Sequence, residues 1–283
     1  MSLDYFFFGD DKVKADDTPM LCTYDNATDS IHAYVTKKKG VNMWIAKAVG
    51  TDLESTGYGG VRVCLKSDQE ESVLAVKTAI AERRSAPTSM MESPARESKS
   101  NGKMERAVQK LEGQLRTLKM ALEHNIGKPI SFRSKVSEWL TSWTTTSLNR
   151  YWVGEDGKTA MQRATGHQCN ITIAEFGEQV HWKRSVSHNS KKAKSLWEEG
   201  TFLGLRERTG EIYVATSDDE VHKCRTMRSR IKSERWNTDR VLGVKSSVAS
   251  VVYKFGVDSE ETDEDANQGE PERNEEQVAD MSG

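Results

Sequence analysis

Apolar positions fall into two periods along the chain. Residues 3–8 (LDYFFF) are an apolar and aromatic run broken by one aspartate, which predicts a buried strand. A carboxylate inside such a strand is costly unless something compensates its charge. Residues 20–24 and 31–36 (IHAYVT) predict two more strands joined by the turn-rich DNATDS, so the first three make an antiparallel meander. The spacing then becomes helical at Trp44, Ile45, Ala48 and Val49, until the glycines of STGYGG stop it. Residues 61–65 (VRVCL) predict a fourth strand that runs through Lys66 and Ser67 into a second aspartate, Asp68. A helix over 72–83 follows, with Val73, Val76, Ala79 and Ile80 on one side. Residues 87–91 predict a short fifth strand, and ESPARESKSNGK reads as a loop.

From Met104 the pattern is helical for about two dozen residues, with Val108, Leu111, Leu115, Leu118 and Leu122 at spacings of three and four. Glu105 lies three before Val108, which predicts a carboxylate turned toward the body, while Lys103, Arg106 and Lys110 cluster on another side. Local physics gives Glu105 an ordinary role as well: Ser100 or Asn101 can cap the helix, and an acidic first turn suits its positive end. Further on, alternation in 179–183 and 212–215, with Gly204 and Gly210 at turns, predicts short strands.

Composition adds an asymmetry. The net charge is -2, yet from residue 256 onward eleven acidic residues face Arg273 alone, which leaves 40 basic against 32 acidic residues on the preceding 255. A basic body suits a polyanionic partner and the acidic tail reads as disordered. Cys22, Cys64, Cys169 and Cys224 form no C-x-x-C pair, and the six histidines show no metal spacing with them, so neither a disulfide framework nor a zinc site is expected. No run approaches a membrane span and no signal peptide is legible, so the expectation is a soluble protein that is not secreted. Trp139, Trp143, Trp152, Trp182, Trp197 and Trp236 are expected in core or linker packing rather than in base stacking.

The order strand, strand, strand, helix, strand, helix, strand, helix is that of the ribonuclease H-like fold. Within it, LDYFF, LKSD and S-x-S-N-G-x-x-E-R resemble the catalytic core of retroviral and retrotransposon integrases, over roughly residues 2–125. The resemblance implies a D, D, E triad of Asp4, Asp68 and Glu105 holding two Mg²⁺ (or Mn²⁺) ions, because closely set carboxylates repel unless cations neutralise them and magnesium prefers oxygen ligands. Asp68 is followed by Gln69-Glu70 where the family often has Asn-Gly, and 36 residues separate it from Glu105, one more than usual. NRYWVGEDGKTAMQRATGH resembles the segment after the core in copia-like polyproteins, and FGEQVHWKR onward resembles a small SH3-like barrel.

The resemblance thus implies an α/β ribonuclease H-like mixed five-stranded sheet with flanking helices over 1–127, a helical linker over 128–165 and an SH3-like basic all-β barrel over 166–236, and composition adds a disordered acidic tail over 237–283. It further implies a nuclear DNA integrase that processes 3′ ends and joins them to target DNA, acting as a homo-oligomer, without a membrane, and lacking the upstream zinc-binding module of the polyprotein. Lys103, Arg106 and Lys110, with Arg228 and Arg230 in the basic run 225–235, are the DNA-contact candidates. A second reading is a non-catalytic nucleic-acid or chromatin-binding remnant of such a polyprotein.

Overall fold

The computed structural model describes residues 1–8, 18–93, 102–168, 171, 174–184 and 195–255. Asn101 of the Asn-Gly motif, Cys169, His188 and the acidic residues from Asp258 onward lie outside the described residues.

Strands β1 (Ser2–Phe8), β2 (Thr18–Tyr24), β3 (Ile31–Val35), β4 (Val63–Ser67) and β5 (Thr88–Glu92) form one sheet in the order β3-β2-β1-β4-β5. The first three strands pair antiparallel, and β4 runs parallel to both β1 and β5. This is the ribonuclease H-like strand order, with β1 central and β4 beside it. The fourth strand begins two residues later than its apolar run suggests, because Val61 is 51% exposed and its N–H closes a turn onto the Tyr58 carbonyl at 3.2 Å.

Side chains alternate across the central strand. Leu3 and Tyr5 pack with helices α1 (Met43–Leu53) and α2 (Glu71–Arg83), against Ile45, Val49, Val73 and Val76. Phe6 and Phe8 turn the other way and join Met20 and Cys22 under α3 (Gly102–Ile126) and α4 (Lys135–Tyr151). Asp4 shares their parity and so faces α3.

The buried side of α3 is Met104, Ala107, Leu111, Leu115, Leu122 and Ile126, while Val108 and Leu118 are only partly buried. The inward stripe is therefore centred on Met104 and Ala107, not on Val108. Glu105, about 100° round the helix from Met104, is exposed, which corrects the expectation that it turns into the body.

The segment expected as a linker contains α4, whose Val136, Trp139, Leu140 and Trp143 are buried. Ser134 caps it by accepting from the Ser137 N–H at 3.3 Å. A short α5 (Ala160–Thr165) follows, opened by a capping box between Thr159 and Gln162. Beyond it, β6 (Gln179–Lys183), β7 (Trp197–Leu205), β8 (Ile212–Ala215), β9 (Val221–Cys224) and β10 (Met227–Ser229) make a second, wholly antiparallel sheet in the order β10-β6-β7-β8-β9. Gly204 sits inside β7 at a bulge rather than in a turn. Its φ of +131° and the Trp143 ring, 3.3 Å from where a Cβ would stand, explain the glycine.

The stretch 237–255, expected to open a disordered tail, instead carries α6 (Thr238–Leu242) and α7 (Val248–Val252). Val241, Val244 and Val248 are buried, and the Trp139 indole N–H donates to the Ser246 carbonyl at 2.8 Å. The acidic composition that signalled disorder starts only at Asp258.

Asn149 of α4 fixes the edge strand β3. Its Oδ1 accepts from the Ile31 N–H at 2.8 Å, and its Nδ2 donates to the Ile31 carbonyl at 2.9 Å and to Glu207 at 3.0 Å. Truncating Asn149→Ala strands two buried backbone groups, each costing about 1–3 kcal/mol. Chemical denaturation is expected to show a loss of about 2–4 kcal/mol; a loss below about 0.5 kcal/mol would mean that water replaces the amide.

Candidate active site

The register of the parallel pair sets the site. Ser2 lies opposite Lys66, and the Lys66 N–H donates to the Met1 carbonyl at 2.8 Å. Asp4 and Asp68, each two residues further on, therefore reach the same level on neighbouring strands. Burial first, then the charge of Asp68, raises the Asp4 carboxyl to about 6, with Glu70 adding to the rise while the Tyr5 N–H and Lys39 oppose it. Among the described residues, Lys39 offsets this rise only in part.

Asp68 is held by its own neighbourhood. Its Oδ1 accepts from the Glu70 N–H at 3.3 Å, and its carbonyl accepts from the Ser67 hydroxyl at 2.8 Å. Below it the fully buried Lys77 donates to Ser67 Oγ at 3.1 Å and to the Met91 carbonyl at 2.8 Å, tying the ends of β4 and β5 together. Burial lowers the Lys77 ammonium, which Glu92, Cys64 and Asp68 partly offset.

Glu105 stands in the first turn of α3, exposed. Among the described residues no group of three His, Cys, Asp or Glu is close enough to hold a metal ion, so the structure brings together the aspartate pair and leaves Glu105 apart from it. Glu112, two turns further along the same flank, contributes with burial and Asp4 to raising the Cys22 thiol, and Cys22 is the cross-strand partner of Asp4. The oxygen-only aspartate pair, with its raised Asp4, fits a divalent cation as a half-built ligand set.

The DNA-contact candidates divide. Lys103, Arg106 and Lys110 share a sector of about 60° on α3, on the opposite flank of the buried stripe from Glu105. Lys103 and Arg106 are exposed, and Arg106 Nε donates back to the Gly102 carbonyl at 3.2 Å. The Lys110 ammonium lies 4.3 Å from the ring centroid of Trp152, which is 53% exposed, contrary to its expected packing role. In the second sheet, the Arg228 guanidinium stacks on Trp197 at 4.3 Å. Arg230 is paired with Glu199 and Glu234, and Arg235 with buried Glu178. Arg225 and Lys232 are exposed. Trp139, Trp143 and Trp182 are buried as expected, and Trp197 and Trp236 are half-buried.

Sequence reasoning missed Lys39, Glu70 and Lys77. The first two carried a faint signal: Glu70 stands two residues after Asp68, and Lys39 ends a triple-lysine run before a glycine. Lys77 looked like an ordinary exposed helix residue.

No protein-family model matches the chain, and no curated protein matches it. Among solved structures it is similar to a chain of the simian T-cell lymphotropic virus intasome in complex with PP2A regulatory subunit B56 gamma, at 14% identity and a TM-score of 0.44 over 81% of this chain and 77% of that one. It is also similar to the HTLV-2 integrase catalytic core domain in complex with magnesium, at 14% identity and TM-score 0.40 over 58% and 93% of the two chains. The BIV integrase catalytic core gives 15% identity and TM-score 0.36 over 57% and 90%. The fold assignment stands on the strand order itself, and the chemistry is argued from the carboxylates.

The raised Asp4 makes a signed prediction. A carboxyl whose folded pKa exceeds its unfolded value binds more protons when folded, so its contribution to stability falls as pH rises from about 4 to about 6. Asp4→Asn is therefore expected to melt above the wild type at pH 7.5, with the gap closing near pH 4. Equal melting temperatures at pH 7.5 would show that Asp4 is solvated rather than strained.

Proposed function

We propose that the chain is a DNA integrase of the retrotransposon type, a polynucleotidyl transferase that trims the 3′ ends of element DNA and joins them to target DNA. The observation that carries this reading is the level placement of Asp4, inside β1, and Asp68, just past the end of β4, with Asp4 raised to about 6 by burial and by its neighbour. Asp4 and Asp68 would hold Mg²⁺ or Mn²⁺, with Glu105, from the first turn of α3, as the third ligand. Such ions, when bound, supply charge for the developing oxyanions of in-line phosphoryl transfer.

The residues of the chain position and neutralise. In end processing, a water oxygen bonds to phosphorus and the 3′ oxygen of the retained strand leaves with a proton. In joining, that 3′-hydroxyl oxygen bonds to a target phosphorus and the target 3′ oxygen leaves, so one phosphodiester replaces another and no energy source is needed. The further parts of the reading are duplex DNA as partner, a multimer as the working form, and a nuclear site of action. The segment 166–236 serves as DNA-binding module, held to the first sheet through the buried α4.

A non-catalytic nucleic-acid-binding remnant remains the competing reading, favoured by the exposure of Glu105. Incubating labelled duplex with the chain and Mg²⁺ or Mn²⁺ decides between them. Nicked and joined products that fall at least about 100-fold in both Asp68→Asn and Glu105→Gln are expected of an integrase. Salt-sensitive binding without metal-dependent products would establish the remnant.

A further inference from the structure

We propose that Lys39 is a positioning residue that takes a DNA backbone phosphate at the carboxylate edge, exchanging its bond to Glu70 for one to the nucleic acid. The inference deepens the integrase reading and rests on it.

Lys39 is presented by a braced turn. Thr36 Oγ1 donates to the Lys38 carbonyl at 3.0 Å, Asn42 Nδ2 donates to Thr36 Oγ1 at 3.2 Å, and the Tyr5 hydroxyl donates to the Gly40 carbonyl at 3.2 Å. Gly40, at φ +110°, lets the chain reverse directly after the lysine. The ammonium then lies over two rings of β1, 5.5 Å from the Tyr5 centroid and 5.1 Å from that of Phe7. Phe7 is 47% exposed although its strand is central and its neighbours Phe6 and Phe8 are 7% and 8% exposed. An aromatic ring left open to solvent beside a fixed cation is not what core packing requires.

The present partner of Lys39 points to the same use. Both carboxylate oxygens of Glu70 accept from the ammonium, at 2.8 and 3.0 Å, and Glu70 also accepts from the Ser72 hydroxyl at 2.5 Å. Glu70 keeps a hydrogen bond when the lysine leaves. Its N–H is the group that holds Asp68 Oδ1, so three consecutive residues join the aspartate to the partner of the cation. The ion pair itself is partly exposed, 29% and 36%, and so adds little to stability. A phosphate oxygen offers the ammonium a charge-assisted bond at the same edge without drawing on sequence, as a strand-positioning contact requires.

The test compares wild type, Lys39→Gln and Lys39→Arg in two arms. The binding arm titrates salt against duplex affinity with Ca²⁺ in place of Mg²⁺, and the kinetic arm follows metal-dependent nicking. Lys39→Gln is expected to raise KM about tenfold with kcat within about threefold, and to reduce the salt slope by about 1. Lys39→Arg is expected to restore both, and thermal melting to move by no more than a few degrees. An unchanged salt slope and KM, with or without a fall in melting temperature, would overturn the proposal and leave Lys39 as a clamp on α2. A wild type that produces no metal-dependent products refutes the integrase reading instead. Lys39 is then judged by the binding arm, where an unchanged slope overturns its role.

Discussion

Two sheets bury their inner faces on one helix, and that sharing governs where the other parts can sit. Trp139 of α4 packs its ring 5.3 Å from Tyr213 in the second sheet, and Trp143 meets Phe202 at the same distance nearly edge-on. One face of the first sheet, with Phe6, Phe8, Met20 and Cys22, and the inner face of the second belong to one continuous apolar cluster through α4. A helix rich in threonine tolerates this burial because the hydroxyls of Thr141 and Thr144 donate to the carbonyls of Ser137 and Leu140, four residues back. Burial on both sides deprives water of access, so each polar group on α4 needs a partner, and Asn149 supplies one for the edge of the first sheet. Moving α4 would open both layers at once.

The same economy of placement appears where β4 ends beside β1. A central strand flanked by helices on both faces puts Asp4 where water is scarce, and a parallel neighbour puts Asp68 at its level. Lys77 could have neutralised them, but it is buried below, committed to Ser67 and Met91. Lys39 lies at the rim, committed to Glu70. Among the described residues these two lysines leave the Asp4 carboxyl raised, which is the electrostatic condition for recruiting a cation or holding a proton.

Most of the first sheet was legible because its strands are buried runs broken by turn residues, and its helices have one apolar side. Even the adjacency of Asp4 and Asp68 followed once the element order was recognised. The orientation of Glu105 was not legible: Val108 and Met104 are both apolar, and periodicity alone cannot say which of two overlapping stripes the sheet will select. The packing of 237–255 was hidden by composition, since the acidic run beyond it dominates any average over the tail, while Val241, Val244 and Val248 mark the buried side only when read by themselves. Arg230 pairs with Glu234 one turn on, but its second partner Glu199 and the Glu178 partner of Arg235 are distant in sequence. A basic run read in isolation looks free; folded, much of its charge is already spoken for.

Trp152 is the most exposed tryptophan among the described residues, and it sits under the Lys110 ammonium at the α3 flank. The other indoles are shielded to a greater degree, so emission from the folded chain divides into a blue, protected population and one long-wavelength, quencher-accessible component. That component is an optical reporter built into the sequence. It registers whatever approaches the basic flank of α3 without any dye or label.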